Sequence, residues 1–108
     1  MNFNVHTTAS FEKQAKRLKK KFPSLKTELA ELISTLMEHP ETGAALGNDC
    51  YKIRLAVASK GKGKSGGARV ITLVEIKDTV VTLLYMYDKS EQADISDKEL
   101  LRLLKSVI

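Results

Sequence analysis

Lys52, Arg54, Lys60, Lys62, Lys64 and Arg69 crowd into the stretch from Tyr51 to Arg69, and no carboxylate occurs between Asp49 and Glu75. Cations placed side by side repel one another, and solvent screens only part of that repulsion. Their concentration points to an anionic ligand. Arginine suits phosphate because its planar fork can hold two oxygens at once. Fixed cations also stabilise negative charge that develops on a phosphate during transfer. The chemistry available is therefore binding and polarising a phosphodiester, and the matching partner is a polyanion, RNA foremost. Lys52 and Arg54 lie two apart, so a strand projects both from one face. Arg69 opens the next strand and can reach that same face. A solvated sheet face presents the same residues, and Arg69 is what favours a ligand.

Other residues carry weaker signals. Tyr85, Tyr87, Asp88 and Lys89 close the last apolar run. The two tyrosines share a face and could stack bases or donate a phenolic proton; core packing of at least one explains them equally well. Gly63-Lys64-Ser65 resembles the end of a phosphate-binding loop, but the glycine required five positions before Gly63 is Ala58. A β-branched strand follows where that motif needs a helix. The alternatives for this loop are a solvated connection or a mobile basic flap that closes on a backbone phosphate. Lys13, Lys16 and Lys20 read first as the wet face of an amphipathic helix, and second as a rest for nucleic-acid phosphate. Cys50 has no histidine base nearby in sequence, and a buried structural thiol is the simpler reading. His6 and His39 are isolated and no carboxylates pair at ligand spacing, so neither metal nor other cofactor is expected.

These residues need elements to hold them. Asn2–His6 reads as a short strand. Thr7, Thr8 and Ser10 offer N-cap oxygens to a helix whose apolar positions are Phe11, Ala15, Leu18 and Phe22. Pro23-Ser24 interrupts it and begins a second helix with a broad stripe through Leu25, Leu29, Leu32, Ile33, Leu36 and Met37. His39-Pro40 ends that helix, because the residue before proline leaves the α region. Residues 41–49 read as loop. Period two takes over at Tyr51, with Tyr51, Ile53, Leu55 and Val57 on one face. Residues 68–76 and 79–87 are β-branched runs joined at Lys77-Asp78, a hairpin whose strands lie mid-sheet. Ser96 and Glu99 form a capping box ahead of Leu100, Leu103, Leu104 and Val107. The expected order is β-α-α-β-β-β-α in one α+β domain spanning residues 1–108.

The chain has 108 residues, a formal net charge of +5 and one cysteine. That charge favours nucleic acid or an acidic partner. A single cysteine excludes an intrachain disulfide and fits a reducing compartment. No apolar run approaches the ~20 residues of a membrane span, and the N-terminus lacks a secretory pattern, so a cytoplasmic protein is expected.

Four stretches carry a family resemblance: Phe11-x-Lys13-x-x-Lys16-x-Leu18, residues 51–56, Lys60 through Ile71, and Leu83 through Glu91. They fall in order between Phe11 and Glu91, and the resemblance they carry extends over nearly the whole chain. The chain resembles the RelE/ParE superfamily of bacterial toxins, closest to its HigB2-like branch. The resemblance implies a small antiparallel-dominated sheet, two N-terminal helices packed on it, and a C-terminal helix. It also implies an endoribonuclease that cuts messenger RNA in the ribosomal A site without a metal. A cognate antitoxin, a small helix-turn-helix protein, would silence it. Lys52 and Arg54 occupy the basic strand positions of RelE-like toxins, Arg69 the arginine that begins the following strand, and Lys89 lies near their basic residue at the end of the last strand. The tyrosine that RelE-like enzymes carry further on is missing after Tyr87, and so is the histidine of some HigB relatives.

The expected reaction is attack of the RNA 2′-hydroxyl on its own phosphate, giving a 2′,3′-cyclic phosphate and a 5′-hydroxyl. Arg54 and Arg69 would hold the charged phosphate, Lys52 or Lys64 would accept the proton, and Tyr87 or Lys89 would donate one. Lys60, Lys62, Lys13, Lys16 and Lys20 would bind RNA. The rival readings are a ParE-like inhibitor of DNA gyrase, which does not need the Lys52/Arg54/Arg69 group, and a basic RNA-binding module without catalysis.

Overall fold

The computed structural model describes residues 2–61, 63 and 65–107. Strand β1 (Asn4–Thr7) leads into helices α1 (Ala9–Lys21) and α2 (Leu25–Glu38). Strands β2 (Ala44–Gly47), β3 (Cys50–Leu55), β4 (Ala68–Glu75) and β5 (Val80–Asp88) follow, and helix α3 (Asp97–Lys105) comes last. A 3-10 turn, Ala58–Lys60, interrupts the connection from β3 to β4. The five strands form one sheet in the order β1-β5-β4-β3-β2. β1 runs parallel to β5, and the other pairs are antiparallel.

Local signals explain the helices. Thr8 caps α1 by accepting the Phe11 amide at 3.1 Å, and Ser96 caps α3 by accepting the Glu99 amide at 3.1 Å. Each satisfies an amide that has no partner within its own helix. Pro23 separates α1 from α2, and α2 ends at His39 ahead of Pro40.

The sheet is covered on both faces, which is why β4 and β5 are apolar on both sides. Against one face, Phe11, Ala15 and Leu18 of α1 and Leu25, Leu29, Leu32 and Leu36 of α2 pack on Ile53, Val70, Val81 and Met86. Against the other, Leu100 and Leu103 of α3 pack on Cys50, Ile71, Leu84 and Tyr87. A bulge sets Leu84 and Tyr85 of β5 against Ile71, since Ile71 pairs with Tyr85 and Thr72 with Leu83. Such a bulge shifts the alternation by one residue. Leu84, Tyr85 and Tyr87 consequently all belong to the α3 side.

One element departs from the sequence reading. Residues 41–49, expected as loop, contain β2 and the hairpin turn to β3. Gly47 pairs with Cys50, and the two residues between them, Asn48 and Asp49, have φ of 55° and 61°. Two positive φ values across a two-residue connection are the mark of the turn that suits strand twist. Asn and Asp tolerate that conformation better than most residues. The strand itself has no alternating pattern because three of its four residues are exposed.

Candidate functional site

The register across three strands places the predicted cations. Arg54 of β3 stands opposite Arg69 of β4, and Arg69 stands opposite Tyr87 of β5. One step along, Lys52 faces Ile71 and Ile71 faces Tyr85. Lys52, Arg54, Arg69, Tyr85 and Tyr87 therefore share one sheet face, on the side that carries α3. The tyrosine rings lie 6.2 Å apart, centroid to centroid, tilted by 35°.

Within this group the cations differ in access. Arg54 is exposed and its side chain makes no hydrogen bond or ion pair with the described residues, since β2 ends opposite Lys52 and leaves this part of β3 as an edge. Arg69 is only 5% exposed, and its guanidinium donates to the backbone oxygens of Ala68 at 3.2 Å and Ser65 at 3.3 Å. It stands beside Arg54 on the neighbouring strand and holds the end of the lysine loop. Lys52 is half-buried and donates to Asp94 at 2.9 Å. Lys89, at the end of β5, donates to the backbone oxygen of Ala93.

Tyr87 is buried, and its hydroxyl has no hydrogen-bond partner. Burial pushes its pKa up to about 12; the nearby Asp94 carboxylate adds to the rise and Arg69 opposes it. Tyr85 reaches Gln92 Oε1 at 3.4 Å. The strap of residues 89–96, between β5 and α3, therefore lies over the tyrosines and Lys52.

Lys60, expected to bind RNA, is turned inward. Its side chain is 6% exposed and forms an ion pair with the buried Asp88, with further bonds to Ser90 Oγ at 3.0 Å and the Gly67 oxygen at 3.3 Å. The 3-10 turn that carries it docks on the start of α2. There the Ala58 amide donates to Glu28 at 2.7 Å, and Ser59 exchanges bonds with Ser24. The first half of the expected flap is thus a fixed turn. Lys62 and Lys64 lie outside the described residues. The loop ends at Gly67, where an added Cβ would sit 2.1 Å from the Leu55 oxygen, so only glycine lets β3 and β4 close there.

Lys13, Lys16 and Lys20 are exposed along α1, which packs on the opposite face of the sheet from Lys52 and Arg54. The fold does not bring them to the cationic face. Cys50 is buried, with its thiol pushed up to about 11 by burial and then by Asp49, as expected of a structural thiol. Two carboxylates central to this region carried no role in the sequence reading. Asp94 gives no local signal, lying 42 residues from Lys52. Asp88 does give one, because its Oδ1 accepts the Ser90 amide at 3.0 Å, the local turn that Asp favours.

Fold and site together describe a small α+β protein with a cationic, tyrosine-bearing sheet face. The profile described as "RelE toxin of RelE / RelB toxin-antitoxin system" matches residues 3–107, and the chain belongs to this family. Its fold is similar to a mutant of the E. coli toxin RelE in the free state, at 19% identity and a TM-score of 0.66, with all of both chains covered. It is similar also to the isolated E. coli RelE toxin, at 20% identity and a TM-score of 0.60 over 98% of this chain and 99% of that one. The toxin-antitoxin complex of E. coli RelBE matches at 19% identity and a TM-score of 0.60, over 80% of this chain and 95% of that one. A comparison with curated protein sequences yields no match. No helix among the described residues is long and apolar enough to cross a membrane.

Proposed function

We propose that this toxin is a ribosome-dependent endoribonuclease that cuts messenger RNA in the A site, and that a small helix-turn-helix antitoxin restrains it. The observation that carries this reading is the row Arg54, Arg69, Tyr87, with Lys52 and Tyr85 beside it, on one face of a rigid sheet. The antitoxin partner follows from the family and from the RelBE complex of the similar E. coli toxin.

The exposed Arg54 guanidinium takes the scissile phosphate and stabilises the charge that gathers as the 2′-hydroxyl attacks. Arg69, beside it on the next strand, keeps the loop in place and adds positive potential. Lys52, the ammonium that pairs with Asp94, binds RNA phosphate rather than taking a proton. Lys64, as the free amine, is then the candidate acceptor for the proton of the attacking hydroxyl, and Tyr87 or Lys89 protonates the 5′-oxygen that leaves. Lys60 acts through the loop it anchors rather than by touching RNA. The ribosome supplies orientation that one protein face of this size does not, so free RNA is cut poorly.

The test is cleavage of a message on programmed ribosomes, read by primer extension. Wild-type protein should cut in the A-site codon, and Arg54→Ala should cut about a hundredfold more slowly, the value of one fixed donor at ~3 kcal/mol. Absence of cleavage by the wild type, with inhibition of DNA gyrase instead, would overturn the proposal.

A further inference from the structure

We infer that the strap of residues 89–96 is a self-inhibitory cover in which the Asp94 carboxylate occupies the position of a substrate phosphate on Lys52, so that an RNA phosphate must displace it. The inference rests on the cationic face being the RNA site proposed above.

The strap has two halves. The first is tied down: Ser90 donates to Asp88, the amides of Glu91 and Gln92 donate to the Asp88 oxygen at 2.9 and 3.0 Å, and Glu91 pairs with Arg17 at 2.8 Å. The second half crosses the sheet face. Its polar ties to that face are Lys52 to Asp94 at 2.9 Å and Tyr85 to Gln92 at 3.4 Å. Gln92 to the Asp94 oxygen, Lys89 to the Ala93 oxygen and the Ile95 amide to Asp94 stay within the strap, and its last residue, Ser96, is tied to α3 as the N-cap rather than to the sheet face. Ile95 adds an apolar contact to the α3-side core.

A carboxylate and a phosphodiester offer the same lysine ammonium the same kind of charged oxygen acceptor. The Lys52–Asp94 pair is open to water on the carboxylate side, with Asp94 64% exposed, so it is weak and exchangeable. Beneath it lies the Tyr87 hydroxyl, buried without a partner. A buried polar group left unpaired is a cost that most folds avoid. Lifting the strap frees Lys52 and uncovers that hydroxyl together, which is what a phosphate-binding and proton-donating face requires.

The experiment measures binding of a short fluorescent single-stranded RNA by anisotropy to the full chain, in wild type, Asp94→Asn and Asp78→Asn. Asparagine keeps the oxygen that accepts the Ile95 amide and removes only the charge. Asp78 is exposed in the β4–β5 turn, at the opposite end of those strands from Arg69 and Tyr87, and makes the same change in net charge. Asp94→Asn should bind about fivefold more tightly at low salt, with the gain shrinking as salt rises, and Asp78→Asn should change little. Hydrogen exchange adds a readout that needs no RNA: Lys52→Met should speed exchange in 93–96 and leave β4 unchanged. Equal affinity of wild type and Asp94→Asn, or equal gains from both aspartates, would overturn the inference. Ribosomal cleavage by wild type, scored separately, decides the ribonuclease reading whichever way the strap result falls.

Discussion

Lys60 and Asp88 form a buried ion pair that joins the turn after β3 to the last residue of β5, with side chains 6% and 2% exposed. Taking two charges out of water is costly, and removing one partner leaves the other uncompensated. Lys60→Met should therefore destabilise the fold by about 3 kcal/mol, towards the low end for such pairs because Lys21 still lies 3.6 Å from Asp88. Urea denaturation measures this. Once Asp88 is asparagine, the same lysine change should cost markedly less. Additive losses would show that the pair is not the anchor.

Three carboxylates around the strap are held below their ordinary pKa range. Burial works against ionisation of Asp88, but the Lys60 hydrogen bond, the Ser90 amide and the charges of Lys60 and Lys21 outweigh it. Glu91 is lowered chiefly by its bond from Arg17, and Asp94 by its bond from Lys52 and then the Ile95 amide. A depressed folded-state pKa contributes stability that is present above the unfolded value, about 4, and is lost as pH falls through the folded one. The urea midpoint should fall steeply below about pH 4, and Asp88→Asn should flatten that fall. Glu91 and Asp94 are solvent-screened and should contribute little to the slope. A midpoint that rises with acid would contradict this assignment.

Tyr87 separates stability from activity. Its hydroxyl is buried without a partner, so Tyr87→Phe removes a desolvated group and should leave stability unchanged or raise it by about 1 kcal/mol. If that hydroxyl donates the proton to the leaving oxygen, the same change should slow ribosomal cleavage ten- to a hundredfold. Thermal unfolding and single-turnover cleavage on one preparation check both halves. Full activity would leave Lys89 as the donor.

Much of this architecture is legible in the residues. Period two from Tyr51, the β-branched runs and the Ser96 cap identify β3, β4, β5 and α3, and strand geometry alone puts Lys52 and Arg54 on one face. The bulge at Leu84–Tyr85 is not legible, because nothing local marks an extra residue in an apolar run. β2 escaped because its side chains are mostly exposed, although Asn48-Asp49 carried the turn. At the site, sequence groups cations but not their access. Arg69 and Lys60 look alike as basic residues, yet one holds backbone oxygens and the other a buried carboxylate. Such partners are brought in by long-range packing, as Asp94 is to Lys52, and spacing along the chain does not encode them.

Arg54 is the residue on which the ribonuclease account is most exposed to test, since its replacement disturbs no bond within the described structure. Arg69→Ala would be ambiguous, because that side chain also holds Ser65 and Ala68. The most direct measurement is induced expression of wild type and Arg54→Ala in a bacterial host, with messenger 5′ ends mapped across the transcriptome. Cuts at in-frame codon positions are expected with the wild type and should be lost with the variant, at equal protein levels. Growth arrest by the wild type without new 5′ ends would contradict the ribonuclease reading.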